Sequence, residues 1–373
     1  MAIVHDYLTQ RGGAERVVLA MAAAFPDAPV HTMLYDPDTT FPELREIDVR
    51  PSWLDHVAFL RRHHRLALPV LAPAVSRWTV PAEVAICSSS GWAHGVRTPA
   101  RKIVYCYTPA RWLYRPDQYA GGRRAVSGAI RVLGPPLRRW DAAAAHGADR
   151  YLAISTFVAG EVARCYGIEA EVLAPPVTVE VDGSTQPVEG VAPGGVLCVA
   201  RLLPYKHVDA VVEAFASGPL RREQLVLVGE GPELARVRQR ASPNVRVLGA
   251  VSDPELRWLY RNAAGLVAAA FEDFGLTPLE AAAFARPTAA LRAGGYLDTV
   301  VDGETGVLFA TPEPAVIAAA VQRMLDSTWD ADRLVAQAAR FSLDRFTTRL
   351  TEVVREVGGW SPDGAARGHD RDR

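Results

Sequence analysis

Phe271-Glu-Asp-Phe-Gly-Leu-Thr-Pro-Leu-Glu-Ala-Ala-Ala283 follows the apolar run Gly265-Leu-Val-Ala-Ala-Ala270, which is short enough for a buried strand. A turn at Gly275 leads into a helix start in which Thr277 suits the N-cap, Pro278 the first helical position and Glu280 the third. The order is strand, tight loop, helix. Backbone N–H groups and the positive end of a helix dipole meet at such a loop, a setting that attracts phosphate. Glu272 and Glu280 flank it. Thr277 and Glu280 also fit a capping box that needs no ligand, whereas Glu272 has no comparable structural use.

The same alternation extends to both sides. Upstream, Ala2–Leu8 reads as a strand, followed by the glycine pair Gly12-Gly13 and a helical pattern from Val17 to Phe25. Further strands are expected at Ala28–Tyr35, Pro81–Cys87, Arg101–Cys106 and Asp149–Ile154. Three of their ends carry polar residues: Ser88-Ser-Ser90 with His94, Tyr107-Thr108 with Arg111, and Ser155-Thr156. Open parallel sheets place ligands at such ends. The segment from Val181 to Gly195 is polar and rich in Gly and Pro, and reads as a linker. After it the pattern restarts with strand Val196–Ala200 and continues with Gln224–Val228, Val245–Leu248 and Pro287–Leu291. Helical patterns fill most of Glu313–Val357, and a disordered tail is expected from Ser361. Strand–helix repetition in both halves predicts two parallel-sheet α/β domains.

Composition narrows the function. The 373 residues favour two domains, and 49% hydrophobic residues supply their cores. A net charge of −1 gives no reason to expect nucleic acid as a partner. Cys87, Cys106, Cys165 and Cys198 are scattered and read as free thiols in a reducing compartment; no metal-ligand spacing is present. Met1-Ala-Ile-Val is followed at once by His5 and Asp6, so no signal peptide is expected, and the predicted location is cytoplasmic. Between residues 51 and 150, fifteen Arg and Lys face five Asp and Glu. Near Phe59–Leu71 this basic excess adjoins apolar residues, a composition suited to an anionic acceptor or the inner face of an anionic membrane, and equally to a solvated face. Lys102 and Lys206 are the lysines of an otherwise arginine-based chain. Lys206 and Arg201 follow the first strand of the second half, at the sheet edge that also carries the Glu272 loop. Two cations and a helix N-terminus there can converge on one diphosphate, whose charge grows as it leaves.

Arg201-x4-Lys206, Gly229-x-Gly231-Pro232, Glu272-x7-Glu280 with Phe274-Gly275, Gly12-Gly13 and Asp302-Gly303-x-Thr305-Gly306 occur in an order and spacing that resemble the retaining nucleotide-sugar glycosyltransferases of family 4, across residues 2 to 350. Ile103–Trp112, preceded by Ser-Ser-Ser-Gly, is similar to the branch of polysaccharide and lipid-linked-sugar mannosyltransferases. The resemblance implies the GT-B fold: a Rossmann-like acceptor domain at 1–180, a nucleotide-sugar donor domain at 195–340, a helix at 341–360 returning to the first domain, and a tail at 361–373. It implies that Arg201 and Lys206 bind the diphosphate, Glu280 the ribose and Glu272 the sugar. By the same resemblance the backbone of Asp273, Phe274, Gly275, Leu276 and Thr277 lines donor and phosphate, Gly229 joins the donor site, Gly249 and Val251 lie beside the base, and Gly12 and Gly13 close on the diphosphate. The implied reaction moves a hexose, mannose from GDP-mannose, to a lipid-linked or polysaccharide acceptor, without metal or cofactor.

Two positions depart from the family pattern. Tyr107 replaces the histidine that usually precedes Thr-Pro and touches the sugar, and Asp298 stands where glutamate commonly follows Gly-Gly. Tyr107 is retained as the catalytic candidate at that position, with His94, Thr108 and Arg111 as further sugar or acceptor contacts. An epimerase or phosphorylase would reuse the same phosphate site, and a scaffold without turnover would keep only the fold.

Overall fold

The computed structural model describes residues 1–62, 71–72, 74–115 and 124–358. The short apolar runs become parallel strands, because most are followed by helical segments that carry the chain back before the next strand begins. The chain divides into two units, Met1–Pro176 with Leu343–Arg373, and Val177–Ser342.

The first unit contains β1 (Ala2–His5), β2 (Val30–Thr32), β3 (Val49–Pro51), β4 (Val84–Ser89), β5 (Arg101–Cys106), β6 (Arg150–Ala153) and β7 (Glu171–Val172), in the order β3-β2-β1-β4-β5-β6-β7. Strands β1, β2, β4, β5 and β6 are buried on both faces at their centres, as a sheet covered by helices on two sides requires. Helix Leu343–Gly358 belongs to this unit and lays Phe346 edge-on to Tyr105, with centroids 5.8 Å apart. Glu171 ties that helix to the sheet edge, accepting from Arg349 at 2.7 Å and from Arg150 at 2.5 Å.

The second unit contains β8 (Val196–Val199), β9 (Leu225–Val228), β10 (Val245–Gly249), β11 (Gly265–Ala268), β12 (Thr288–Leu291) and β13 (Gly306–Phe309), in the order β10-β9-β8-β11-β12-β13. Side-chain alternation along β8 sends Val196 and Cys198 into one core cluster and Leu197 into another on the opposite face. Among the described residues no helix is long and apolar enough to cross a membrane.

Several expectations change. Val181–Gly195 is not a loose linker: Val181, Val188 and Val191 pack on the second unit's core. Its backbone is pinned as well, with Arg257 donating to Ser184 O at 2.8 Å and Gly194 N–H to Asn262 O at 2.8 Å. Valines spaced through a polar segment supply the burial that its Gly and Pro content concealed. Strand β3 was not expected, since it is short, mostly exposed and ends in Pro51. Proline is tolerated there because β3 is an edge strand. Helix Arg124–His146 was hidden by Pro135 and Pro136. The basic–apolar run of 63–70 and the tail from Ser361 lie outside the described residues.

Arg349 beside Glu171 holds its carboxyl below the usual glutamate range, with Arg150 reinforcing the effect against partial burial. The native pKa is lowered, so this contribution is complete above the ordinary glutamate pKa and is lost as pH falls through the native value. Glu171→Gln should lower stability by up to about 1 kcal/mol at pH 7, the modest value of a partly exposed pair. Urea unfolding at pH 7 and at pH 3 should show the difference from wild type only at the higher pH.

Candidate functional site

Strands β8 and β11 are neighbours, yet β9 and β10 extend the sheet to one side and β12 and β13 to the other. At such a reversal the loops leaving the strand ends part, which opens a crevice at the carboxyl edge. The loop after β8 carries Arg201 and Lys206; the loop after β11 carries Glu272.

Lys206 closes the turn Pro204–Lys206, and His207 adopts φ 52 before helix Val208–Ala216 begins. Lys206 is only 8% exposed, and its ammonium forms an ion pair with the Glu272 carboxylate. Arg201 is exposed, while the next residue, Leu202, is buried and anchors the loop by donating its N–H to Glu230 O at 2.8 Å. Gly229 holds φ 137 beneath this loop, where a Cβ would overlap the Ala200 carbonyl oxygen. No other residue type lets the two backbones approach so closely.

The Glu272 backbone is set by a second loop. Its carbonyl accepts from Gly295 N–H at 2.9 Å, and a Cβ on Gly294, at φ 60, would overlap that same carbonyl oxygen. The glycine pair therefore serves to pack the loop after β12 against the loop after β11. Phe274 is buried against Phe341, with centroids 5.7 Å apart, and Asp273 is 7% exposed.

The helix start differs from the sequence expectation. The helix spans Leu276–Ala283 with Gly275 as N-cap at φ 92 and no side-chain cap bond. Thr277 is its second residue, so the Thr277–Glu280 capping box is displaced, and the N-cap position is held by a glycine that has no side chain to cap with. The Glu280 carboxylate instead accepts from the Tyr260 hydroxyl at 2.6 Å. Tyr260 is fully buried and stacks on Phe284, with centroids 5.6 Å apart and planes 7° from parallel. Burial first, then the Glu280 charge, pushes the Tyr260 phenol well above its ordinary range, which keeps it a donor. Sequence reading missed Tyr260, which lies twenty positions upstream on helix Asp253–Asn262 with no local signal. Gly249 ends β10 and accepts the Gly229 N–H at 2.8 Å, while Val251 packs partly buried beside Tyr260's cluster. The Asp302–Gly306 motif is structural: Asp302 accepts from Leu308 N–H at 2.9 Å and pairs with Arg292 and Arg323.

The first unit has its own strand-order reversal, between β1 and β4. Asp6 fills it, accepting from Ser90 N–H at 2.5 Å, Ser90 Oγ at 2.8 Å, Trp92 N–H at 2.8 Å and Ala93 N–H at 2.7 Å. Tyr107 was expected to face a substrate hydroxyl. Its hydroxyl donates to Ala14 O at 3.1 Å and lies 2.9 Å from Ser88 Oγ, which lies 2.9 Å from His5 Nδ1. Burial above all pushes its phenol up, which keeps the hydroxyl protonated as it braces the helix start after Gly12-Gly13. Glu15, 1% exposed, already puts a carboxylate at that helix start and accepts from Gln10 at 3.0 Å. His94 is likewise committed: Nδ1 lies 3.0 Å from Ser89 Oγ and Nε2 3.0 Å from the fully buried Asp141. Thr108 and Arg111 stay partly accessible after β5. Lys102 donates to His94 O and Val96 O, both at 3.0 Å.

Residues 191–341 match the family model for glycosyl transferases group 1. Over 237 residues the chain is 31% identical to D-inositol 3-phosphate glycosyltransferase 2 of Catenulispora acidiphila, covering 55% of this chain and 56% of that protein. Over 159 residues it is 35% identical to glycogen synthase of Mycobacterium tuberculosis, covering 40% of this chain and 37% of that protein. The chain thus spans little more than half the length of the first relative and just over a third of the second. The solved structure of Anabaena Alr3699/HepE in complex with UDP matches with a TM-score of 0.71 at 18% identity, over 95% of this chain and 100% of that one. Two parallel-sheet α/β units with these structural neighbours define the GT-B fold. The stretch that matches the group 1 glycosyl transferase model lies within the second unit.

Tyr260→Phe should retain the stacked ring but remove the hydroxyl that donates to the Glu280 carboxylate. If Glu280 binds a nucleoside ribose, nucleoside affinity should fall about tenfold, a loss of about 1.4 kcal/mol by titration calorimetry. Gly294→Ala should destabilise the chain by more than about 1 kcal/mol in urea unfolding, since it adds a strained φ to a steric overlap.

Proposed function

We propose that this chain is a glycosyltransferase that holds a nucleoside-diphosphate sugar at the reversal between β8 and β11. The observation carrying this reading is the convergence there of Lys206, Glu272 and the glycine-led start of helix Leu276–Ala283. Cations and free N–H groups suit a diphosphate, and carboxylates suit hydroxyls. The group 1 domain match and the named activities of the relatives support the same class.

In the proposed reaction the bond from the sugar's anomeric carbon to the diphosphate breaks as a bond to an acceptor oxygen forms on the same face. The acceptor proton passes to the leaving diphosphate. Arg201 and Lys206 neutralise the charge that grows on that group, so the step needs no metal. Glu280, steadied by Tyr260, takes the ribose, and Glu272 takes the sugar. The sugar is a hexose, with GDP-mannose as the donor indicated by the Ile103–Trp112 resemblance. A lipid-linked or polysaccharide acceptor at the cytoplasmic face of a membrane fits the basic excess of residues 51–150, where Trp53 and Phe59 stand 60% and 59% exposed.

Thermal unfolding with UDP, GDP and ADP in turn, with and without EDTA, tests the site. One nucleotide at a hundred times its dissociation constant should add about 2.7 kcal/mol to stability. The shift should persist in EDTA and fall by more than half in Lys206→Ala. Absence of any shift in wild type would remove the diphosphate reading.

A further inference from the structure

Lys206 supplies a single charge, and on the nucleotide-sugar reading two anions require it: the Glu272 carboxylate, which holds it in this structure, and the donor diphosphate. Among the described ion pairs Glu272 has no second cation. Nor does its backbone have room to withdraw, since the loop after β12 packs on it through Gly294 and Gly295. The Glu272 side chain is 27% exposed, so a carboxylate stripped of its lysine is only partly rehydrated.

We propose that Glu272 competes with the diphosphate for Lys206, and that this competition makes the site prefer the nucleoside-diphosphate sugar over the bare nucleoside diphosphate. The proposal rests on the reading of the preceding subsection. A bare nucleoside diphosphate that draws Lys206 away leaves Glu272 without a partner. The sugar conjugate draws the lysine away too, but its hydroxyls donate to the freed carboxylate. After transfer the sugar has gone, Glu272 reclaims Lys206, and the product diphosphate is expelled. Glu272 is thereby a specificity residue for substrate against product, acting through the lysine.

Titration calorimetry on the full chain with UDP and UDP-glucose, GDP and GDP-mannose, and ADP and ADP-glucose measures this preference. For the pair that binds wild type, Glu272→Gln should tighten the nucleoside diphosphate about tenfold and weaken the sugar conjugate, so that the preference collapses. Glu272→Ala should move the diphosphate affinity in the same direction. In a Lys206→Ala background, Glu272→Gln should change it by less than about twofold, because no lysine is left to release. A gain that persists in that background means plain repulsion between carboxylate and phosphate, and overturns the competition. So does a wild-type protein that binds the diphosphate while both Glu272 variants bind it no more tightly. Failure of every pair to bind wild type overturns the competition together with the nucleotide-sugar reading.

Discussion

The reversal of strand order between β8 and β11 is the constraint on which the second unit's chemistry depends. Parallel strands need crossover connections of one hand, so a chain that extends the sheet on both sides must depart from two adjacent strands in opposite directions. The two loops are then forced apart at their origins, and whatever they carry faces the gap. Here they carry a lysine and a glutamate, and the ion pair across the gap is what that topology produces in this chain.

Around the pair, the backbone is arranged by close approach. Gly229 lies beneath the loop of Arg201 and Lys206, and the Gly294-Gly295 pair fixes the loop of Glu272. Glu280 is held from behind by a buried tyrosine. The helix that begins at Leu276 has glycine at its N-cap, and its positive dipole end lies in the loop that carries Glu272. Side chains and backbone thus bring a lysine, a helix N-terminus and two carboxylates to one sheet edge.

The first unit resolves the same topological problem differently. Its reversal, between β1 and β4, is filled by the Asp6 carboxylate and its four donors, and the glycine-loop helix is buttressed by Tyr107. Tyr107 and His94, which looked like reactive groups beside strand ends, are absorbed into buried hydrogen-bond networks. Polar residues at the carboxyl edge of a parallel sheet hold the edge together as readily as they bind ligands.

The two-sheet α/β class, the parallel strands and the loops bearing Arg201, Lys206 and Glu272 were legible in the sequence, because strand–helix alternation and turn chemistry are local and recur every few residues. The family resemblance rested on similarly short spacings. What stayed hidden depends on distant partners. Glu280 paired in sequence with Thr277 but in space with Tyr260; Tyr107 met Ala14; Val181–Gly195, polar by composition, found a core for its valines. Edge strand β3 was too short and exposed to leave a pattern. Residue spacing determines which groups leave the same strand end, since covalent geometry sets that reach. Which of them bond to each other and which are left for a ligand is settled only when separate strands and helices pack, because hydrogen bonds and burial join positions that no local pattern connects.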